Sequence, residues 1–398
     1  MADAPSPAPY RPLTYTQTVS VTEAQTGFLS LGQPIARRAV LRAAASGRLQ
    51  RTLLVHGPVG AGKGAFLDDL LALLLCGDPA SGRRPCNACR GCRDARARTH
   101  PDLVIGSPDR WREARATGES IVASARRWLL ESSGTPIAGN RRVIVVESVD
   151  RAGEQAQNAL LKALEEPSAR QMFVLVADDI GRVLPTIVSR SQLLRIGSVP
   201  RRELVEWLVD RERLPEDQAD ALARIADGLP GRAIGFARQP ERVEWRRRTQ
   251  AELLGLLSRG VADRISSMKD LLDQAPRAGV AGDAPPPEEP ALDDQAGGTG
   301  RTATTGAAQR AAALAIVEAW QGLARDLLVS AAGRPAMAPS TQLLPDVQAA
   351  ARVLQPAVLA EFLDLLERIR DGLLQNAAPR LALEAAVLAW PRTASERS

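Results

Sequence analysis

Through the first two hundred residues, short uninterrupted apolar runs alternate with stretches in which apolar positions recur every three or four residues. Leu53 to Val55, Asp102 to Ile105, Val143 to Val146, Phe173 to Val176 and Leu193 to Ile196 predict five strands. Strands covered on both faces carry continuous rather than alternating apolar positions. Helices are predicted over Pro34 to Leu49, over the residues following Gly64, over Ile121 to Leu130 and over 152–166, the last stopped by Pro167. Strands alternating with helices imply a parallel sheet with crossover connections.

From about Pro200 the pattern is helical only, with helices predicted over 201–213, 216–228, 231–238, 241–273, 311–332, 343–375 and 379–389. Two stretches break the pattern. Residues 1–25 are rich in Pro, Ala and Thr, and 274–309 is rich in Pro, Gly, Ala and Thr with almost no large apolar side chains. Neither can bury enough surface to offset its ordering entropy, so both are expected to be disordered. No internal repeat is visible.

With 398 residues, 45% of them hydrophobic, the chain has room for two or three packed domains. A net charge of +5 suits an anionic partner, although over this length a solvated surface explains it equally well. The start of the chain lacks the basic-then-apolar layout of a signal peptide, and no apolar run approaches 18 residues, so a soluble cytoplasmic protein without membrane partners is expected. Among 51 basic residues only Lys63, Lys162 and Lys269 are lysines. Where arginine is the default cation, a lysine marks a place for a compact point charge.

Lys63 lies in Gly57-Pro58-Val59-Gly60-Ala61-Gly62-Lys63-Gly64, between a predicted strand and a predicted helix. This is the frame of a phosphate-binding loop. In such a loop backbone N–H groups cradle phosphates, the lysine reaches the β- and γ-phosphates, and a Ser or Thr after the lysine ligates Mg²⁺. Gly64 has no hydroxyl to offer. A second loss follows the strand 143–146. Glu147 could hold a metal through water, but Ser148 stands where a carboxylate that polarises the attacking water is expected, and a serine hydroxyl is a poor base at neutral pH. The pair implies a site that binds ATP and Mg²⁺ weakly or not at all and does not hydrolyse ATP.

Cys76, Cys86, Cys89 and Cys92 are the only cysteines and fall at the spacing C-x9-C-x2-C-x2-C. Four thiolates this close predict a structural Zn²⁺ site with no open position, since a reducing cytosol disfavours two disulfides. Arg83, Arg84, Arg90 and Arg93 surround them and would offset the tetrathiolate charge, while His100, beside Pro101, reads as a turn residue.

The stretch from Gln157 to Pro167 (Gln-Asn-Ala-Leu-Leu-Lys-Ala-Leu-Glu-Glu-Pro), the strand after it, and Leu184 to Ser191 (Leu-Pro-Thr-Ile-Val-Ser-Arg-Ser) resemble clamp-loader subunits of the AAA+ class. Within that class they are most similar to the delta-prime family of bacterial DNA polymerase III. The cysteine module after the loop helix, His100-Pro101-Asp102 and Gly228 to Ala233 carry the same resemblance. It covers residues 30 to 240 well and the rest only by helical character. It implies an α/β P-loop core with a parallel sheet over 26–199, carrying the zinc module at 76–92, then a small helical lid over 200–240 and an all-helical collar over 241–392. It also implies that Arg190 is an arginine finger reaching into a neighbouring subunit's ATP site, and that Arg232 starts the sensor helix of the degenerate nucleotide site. The implied partners are the gamma/tau and delta subunits, the sliding clamp, and primed DNA through the assembled ring. Gly64 and Ser148 favour delta-prime over the motor subunits, and Ser191 departs from the Ser-Arg-Cys usual in the family.

Two other readings compete. In one, the chain is an active motor ATPase of the gamma/tau type in which Asp68 or Asp69 replaces the missing hydroxyl. In the other, it is a stand-alone P-loop regulator that binds DNA through a zinc finger.

Overall fold

The computed structural model describes residues 27–78, 84–114, 118–168, 170–274, 300–334, 344–375 and 377–392. The expected N-terminal tail lies outside them, as does most of the segment expected to be disordered after Gln274. The chain divides into two compact units: residues 1–58 with 62–197, and residues 59–61 with 198–398.

The first unit is built on a five-stranded parallel sheet of β1 (Thr52–His56), β2 (Leu103–Gly106), β3 (Arg142–Val146), β4 (Gln171–Ala177) and β5 (Gln192–Arg195), in the order β2-β3-β4-β1-β5. Leu54 pairs with Leu175 of β4 on one side and Leu193 of β5 on the other, and Ile144 of β3 pairs with Phe173 of β4. Leu53, Leu54, Val55, Ile144, Val145, Val174 and Leu175 are wholly buried, which is why their strands read as continuous apolar runs. This order sets β1 beside β4 and β3 one strand beyond, so the C-terminal ends of all three open onto one edge of the sheet.

The helix Lys63–Leu75 leaves β1 through the glycine-rich loop and buries Phe66, Leu67, Leu70 and Leu71. Asp69 on this helix is also fully buried. Its oxygens accept the N–H groups of Leu29 and Ser30, and Arg96 pairs with it at 2.7 Å. The helix Glu154–Glu165 sets Ala156, Leu160 and Leu164 against the sheet beside Ile144 and Phe173. The α/β P-loop core with a parallel sheet, followed by helices, is therefore the fold found.

The second unit contains the helices Arg201–Glu212, Glu216–Ile225, Pro230–Arg238, Pro240–Gly255, Val261–Gln274, Gly300–Ala331, Leu344–Val353, Pro356–Leu374 and Pro379–Ala389. Trp245, Trp320, Phe362 and Trp390 lie in one apolar cluster, and the rings of Phe362 and Trp390 are 4.6 Å apart. Three boundaries differ from the sequence expectation. Residues 241–273 form two helices, parted at Arg259 and Gly260, because glycine weakens a helix interior. Residues 343–375 likewise divide before Pro356, whose ring starts a new helix and cannot continue the old one. The helix expected from Ala311 begins at Gly300, extending back through a stretch that carries two glycines and three threonines, so continuation of the helix and not local propensity sets its start.

Candidate functional site: a closed phosphate loop

The loop between β1 and its helix requires glycine at both its ends. A Cβ on Gly57 would lie 1.9 Å from the carbonyl oxygen of Ile196, and Gly62, with φ of 92°, turns the chain into the helix at Lys63. Lys63 is 8% exposed, and its ammonium is spoken for on three sides. It pairs with Asp178 Oδ1 at 2.7 Å and donates to the carbonyls of Gly57 (2.7 Å) and Pro58 (2.9 Å). An ammonium has three hydrogens to give, so the lysine is saturated by its own chain.

Asp178 directly follows β4, and the adjacency of β1 and β4 puts it over the loop. It is shared with Arg151, also at 2.7 Å. Burial alone would raise the pKa of Asp178, but the hydrogen bonds and charges of Lys63 and Arg151 outweigh it and hold the carboxyl below the ordinary aspartate value. Asp150 lies beneath, accepting the N–H groups of Asp178 and Asp179 at 3.1 Å each; burial and the neighbouring Asp178 charge push its pKa up.

At Gly64 the missing hydroxyl faces a cation. A Cβ there would be 4.0 Å from Nη2 of Arg98, whose guanidinium bridges Asp68 Oδ1 (3.0 Å) on the loop helix and Glu147 Oε1 (2.7 Å) at the end of β3. Burial would lower the pKa of Arg98, yet the charges of Asp68 and Glu147 carry it above the ordinary arginine value. Arg96 and Arg98, two residues apart, thus engage the adjacent Asp69 and Asp68. Neither aspartate, considered above as a replacement for the hydroxyl, is a free carboxylate. Ser148 follows Glu147 in a left-handed conformation (φ 52°, ψ 44°) and starts the short turn Val149–Arg151.

Gly57, Gly62, Lys63, Gly64 and Glu147 therefore gather around one sheet edge, joined by two residues that sequence reasoning missed, Arg98 and Asp178. The signal for Asp178 was its position: it directly follows an apolar strand, as Glu147 does. Arg98 had no comparable signal. Gly60 and Arg232 both fall in the second unit, where Gly231 N–H donates to the Gly60 carbonyl at 2.8 Å. Arg232 itself is paired with Glu318 (2.5 Å) and Asp227 (3.3 Å).

The four cysteine sulfurs lie within 4.8 Å of one another and form no disulfide. Two of the distances are 3.9 Å (Cys86 to Cys92) and 4.0 Å (Cys76 to Cys89). A tetrahedron with metal–sulfur bonds of about 2.3 Å has sulfur–sulfur edges of about 3.8 Å, so the donor set fits a metal ion. Cys76 ends the loop helix, and Cys92 is on the helix Arg90–Arg96 that carries on toward Arg98. Burial raises Cys92. Burial also opposes ionisation of Cys89, but hydrogen bonds from the backbone of Cys92 and Gly77 bring that thiol down to about 6. His100 stands outside the cluster; its Nδ1 accepts the N–H of Asp102, whose own carboxylate takes the N–H groups of Ile137, Ala138 and Gly139.

Arg190 closes the helix Pro185–Ser189. It donates to the Thr186 carbonyl at 3.1 Å and pairs with Glu165 at 2.9 Å, with the arginine side chain 41% and the glutamate 45% exposed. It sits on a different set of elements from the loop of its own chain.

Residues 32–200 match the family model described as "DNA polymerase III, delta subunit". The DNA polymerase III subunit delta' of Escherichia coli (strain K12) is 32% identical over 191 residues, 48% of this chain and 55% of that one. That of Pseudomonas aeruginosa is 33% identical over 172 residues, 43% of this chain and 50% of that one. This region is related to the DNA polymerase III delta-prime subunit. The chain spans about half the length of the curated delta-prime relatives it matches. The chain is also 26% identical to the DNA polymerase III subunit tau of Salmonella typhimurium over 214 residues, 52% of this chain and 32% of that one. Among solved structures, a gamma-subunit-related protein of Thermotoga maritima aligns over 90% of this chain and 98% of its own at 16% identity and a TM-score of 0.35. Among the described residues no helix is long and apolar enough to cross a membrane.

Proposed function

We propose that the protein is a non-hydrolysing clamp-loader subunit of a bacterial DNA polymerase III. In this reading it assembles with gamma/tau and delta subunits, supplies Arg190 to the ATP site of a neighbouring motor subunit, and helps place the sliding clamp on primed DNA. The core is residues 26–199, the lid 200–240 and the collar 241–392, and the setting is the cytoplasm.

The observation that carries the reading is the state of the nucleotide loop within a delta-prime-related region. Lys63 is neutralised by Asp178 and hydrogen-bonded to two loop carbonyls, Gly64 lacks the metal-binding hydroxyl, and Ser148 lacks the carboxylate that orients water. ATP and Mg²⁺ then bind this subunit weakly or not at all, and Arg232 has no sensing task because it is already paired. Arg190 remains as a half-exposed guanidinium held by one surface ion pair, which exchanges readily for a phosphate. Zn²⁺ bound by Cys76, Cys86, Cys89 and Cys92 is structural, because four thiolates leave no position for substrate.

Reconstitution tests this directly. The purified chain alone hydrolyses no ATP; mixed with gamma/tau and delta subunits, it restores DNA-stimulated hydrolysis and clamp loading. Turnover by the isolated chain above about 0.1 s⁻¹, near the low edge of ordinary enzyme rates, would overturn the inert-subunit reading in favour of a motor.

A further inference from the structure

A P-loop normally brings its divalent ion into a gap between the hydroxyl after the lysine and a carboxylate at the end of a neighbouring strand. Here that gap is bounded by Gly64 and Glu147, and the group in it is the guanidinium of Arg98. One Nη is 4.0 Å from the position of a Cβ on Gly64, the other is 2.7 Å from Glu147, and Nε is 3.0 Å from Asp68.

The backbone sets this up. After the helix Arg90–Arg96 the chain turns through a left-handed residue, Arg98 itself at φ 58°, with its N–H bonded to Ala95 and that of Thr99 to Asp94. The turn aims the side chain back over the loop helix. Arg96, fixed on buried Asp69, pins the approach.

We propose that Arg98 is a built-in cation that takes the place of the divalent metal in this loop. The loop keeps its shape, and meets any phosphate group, without magnesium. The chemistry is balanced: the arginine neutralises one of two carboxylates that would otherwise repel each other, and it forks between both, which a lysine could not do. Gly64 brings no side chain to the gap, and a Cβ there would stand in ordinary contact with the guanidinium at 4.0 Å. The proposal does not depend on the clamp-loader reading, and its failure would leave assembly with other subunits untouched.

The test uses the full-length, zinc-loaded protein and Mn²⁺ alone, followed by the spectroscopic signal of free Mn²⁺ and by melting with and without Mg²⁺, with zinc content checked throughout. Wild type shows no saturable Mn²⁺ binding at this loop and no Mg²⁺ shift in Tm. Arg98→Gln, which keeps hydrogen-bonding reach but loses the charge, gains a saturable Mn²⁺ site at least about tenfold tighter than any binding in wild type. Adding Glu147→Gln removes the gain. Gly64→Thr, a small change at an accessible position, restores the hydroxyl yet gains no Mn²⁺ site while Arg98 is present. Wild type that binds Mn²⁺ as tightly as Arg98→Gln overturns the proposal. So does an Arg98→Gln protein that is merely less stable and gains no metal, a gain that survives Glu147→Gln, or a Gly64→Thr protein that binds Mn²⁺ with Arg98 intact.

Discussion

Lys63 Nζ lies 2.7 Å from Asp178 Oδ1, so the lysine that should meet a nucleotide's phosphates meets a carboxylate of its own chain instead. An incoming phosphate would have to displace a partner that is already preorganised and largely desolvated. Asp178→Asn is therefore expected to bind ATP or pyrophosphate more tightly than wild type, by about tenfold or more, because the competing charge is gone. The same change leaves a buried ammonium with carbonyl partners only and costs roughly 2 kcal/mol, less than for a fully buried pair because Asp178 is partly exposed. Titration with a fluorescent nucleotide and denaturant melts check both halves. Unchanged phosphate affinity would show that Asp178 is not what closes the loop.

Arg190→Ala is expected to leave the isolated chain within about 1 kcal/mol of wild type, since its pair with Glu165 is close to half exposed at both ends. In the reconstituted complex the same change lowers DNA-stimulated ATP turnover on the order of 10³-fold, and Arg190→Lys is nearly as harmful because it lacks the planar fork. Normal turnover in the reconstituted Arg190→Ala complex would reduce the subunit's role to scaffolding.

Removing the metal with a chelator, or replacing Cys92 by Ser, is expected to unfold residues 84–98 locally while the sheet persists, because the cysteine module meets the loop helix, Arg96 and Arg98 rather than the strands themselves. Hydrogen exchange reads this as fast exchange in the module with β1, β3 and β4 still protected. One zinc per chain is expected in purified protein. Intact mass showing two disulfides would contradict the assignment.

Asp102 makes an acid-sensitive clamp. Burial works against its ionisation, but three backbone N–H bonds from Ile137, Ala138 and Gly139 lower its pKa below the ordinary value. A carboxylate with a depressed folded pKa contributes stability that is complete above the unfolded value of about 4 and is lost as pH falls through the folded value. Asp102→Asn is expected to cost about 2–3 kcal/mol at neutral pH. The gap from wild type should narrow below about pH 4. Asp178 acts in the same direction. Asp150 and Asp68, both raised by burial, oppose it, favouring the fold when protonated. A gap that stays constant from neutral to acid pH would show that the charge of Asp102 is not what is used.

The sequence by itself determined the five strands, three of them buried, the helices between them, the phosphate-loop frame with its missing hydroxyl, and the cysteine quartet. All of these are local: an apolar run, a helical period or a spacing of thiols is complete within a few residues. Helix breaks at Gly260 and before Pro356 were also local, and were hidden only because the apolar period runs on across them. What only the tertiary structure decided is where the charges go. Lys63 reaches Asp178 because β1 lies beside β4, and Arg98 reaches Glu147, 49 residues away, because a turn after the cysteine module folds it back over the loop. Nothing in the residues near Arg98 distinguishes it from the other 47 arginines of the chain, since the partner of a charge is fixed by strand order and chain reversal rather than by its neighbours in sequence.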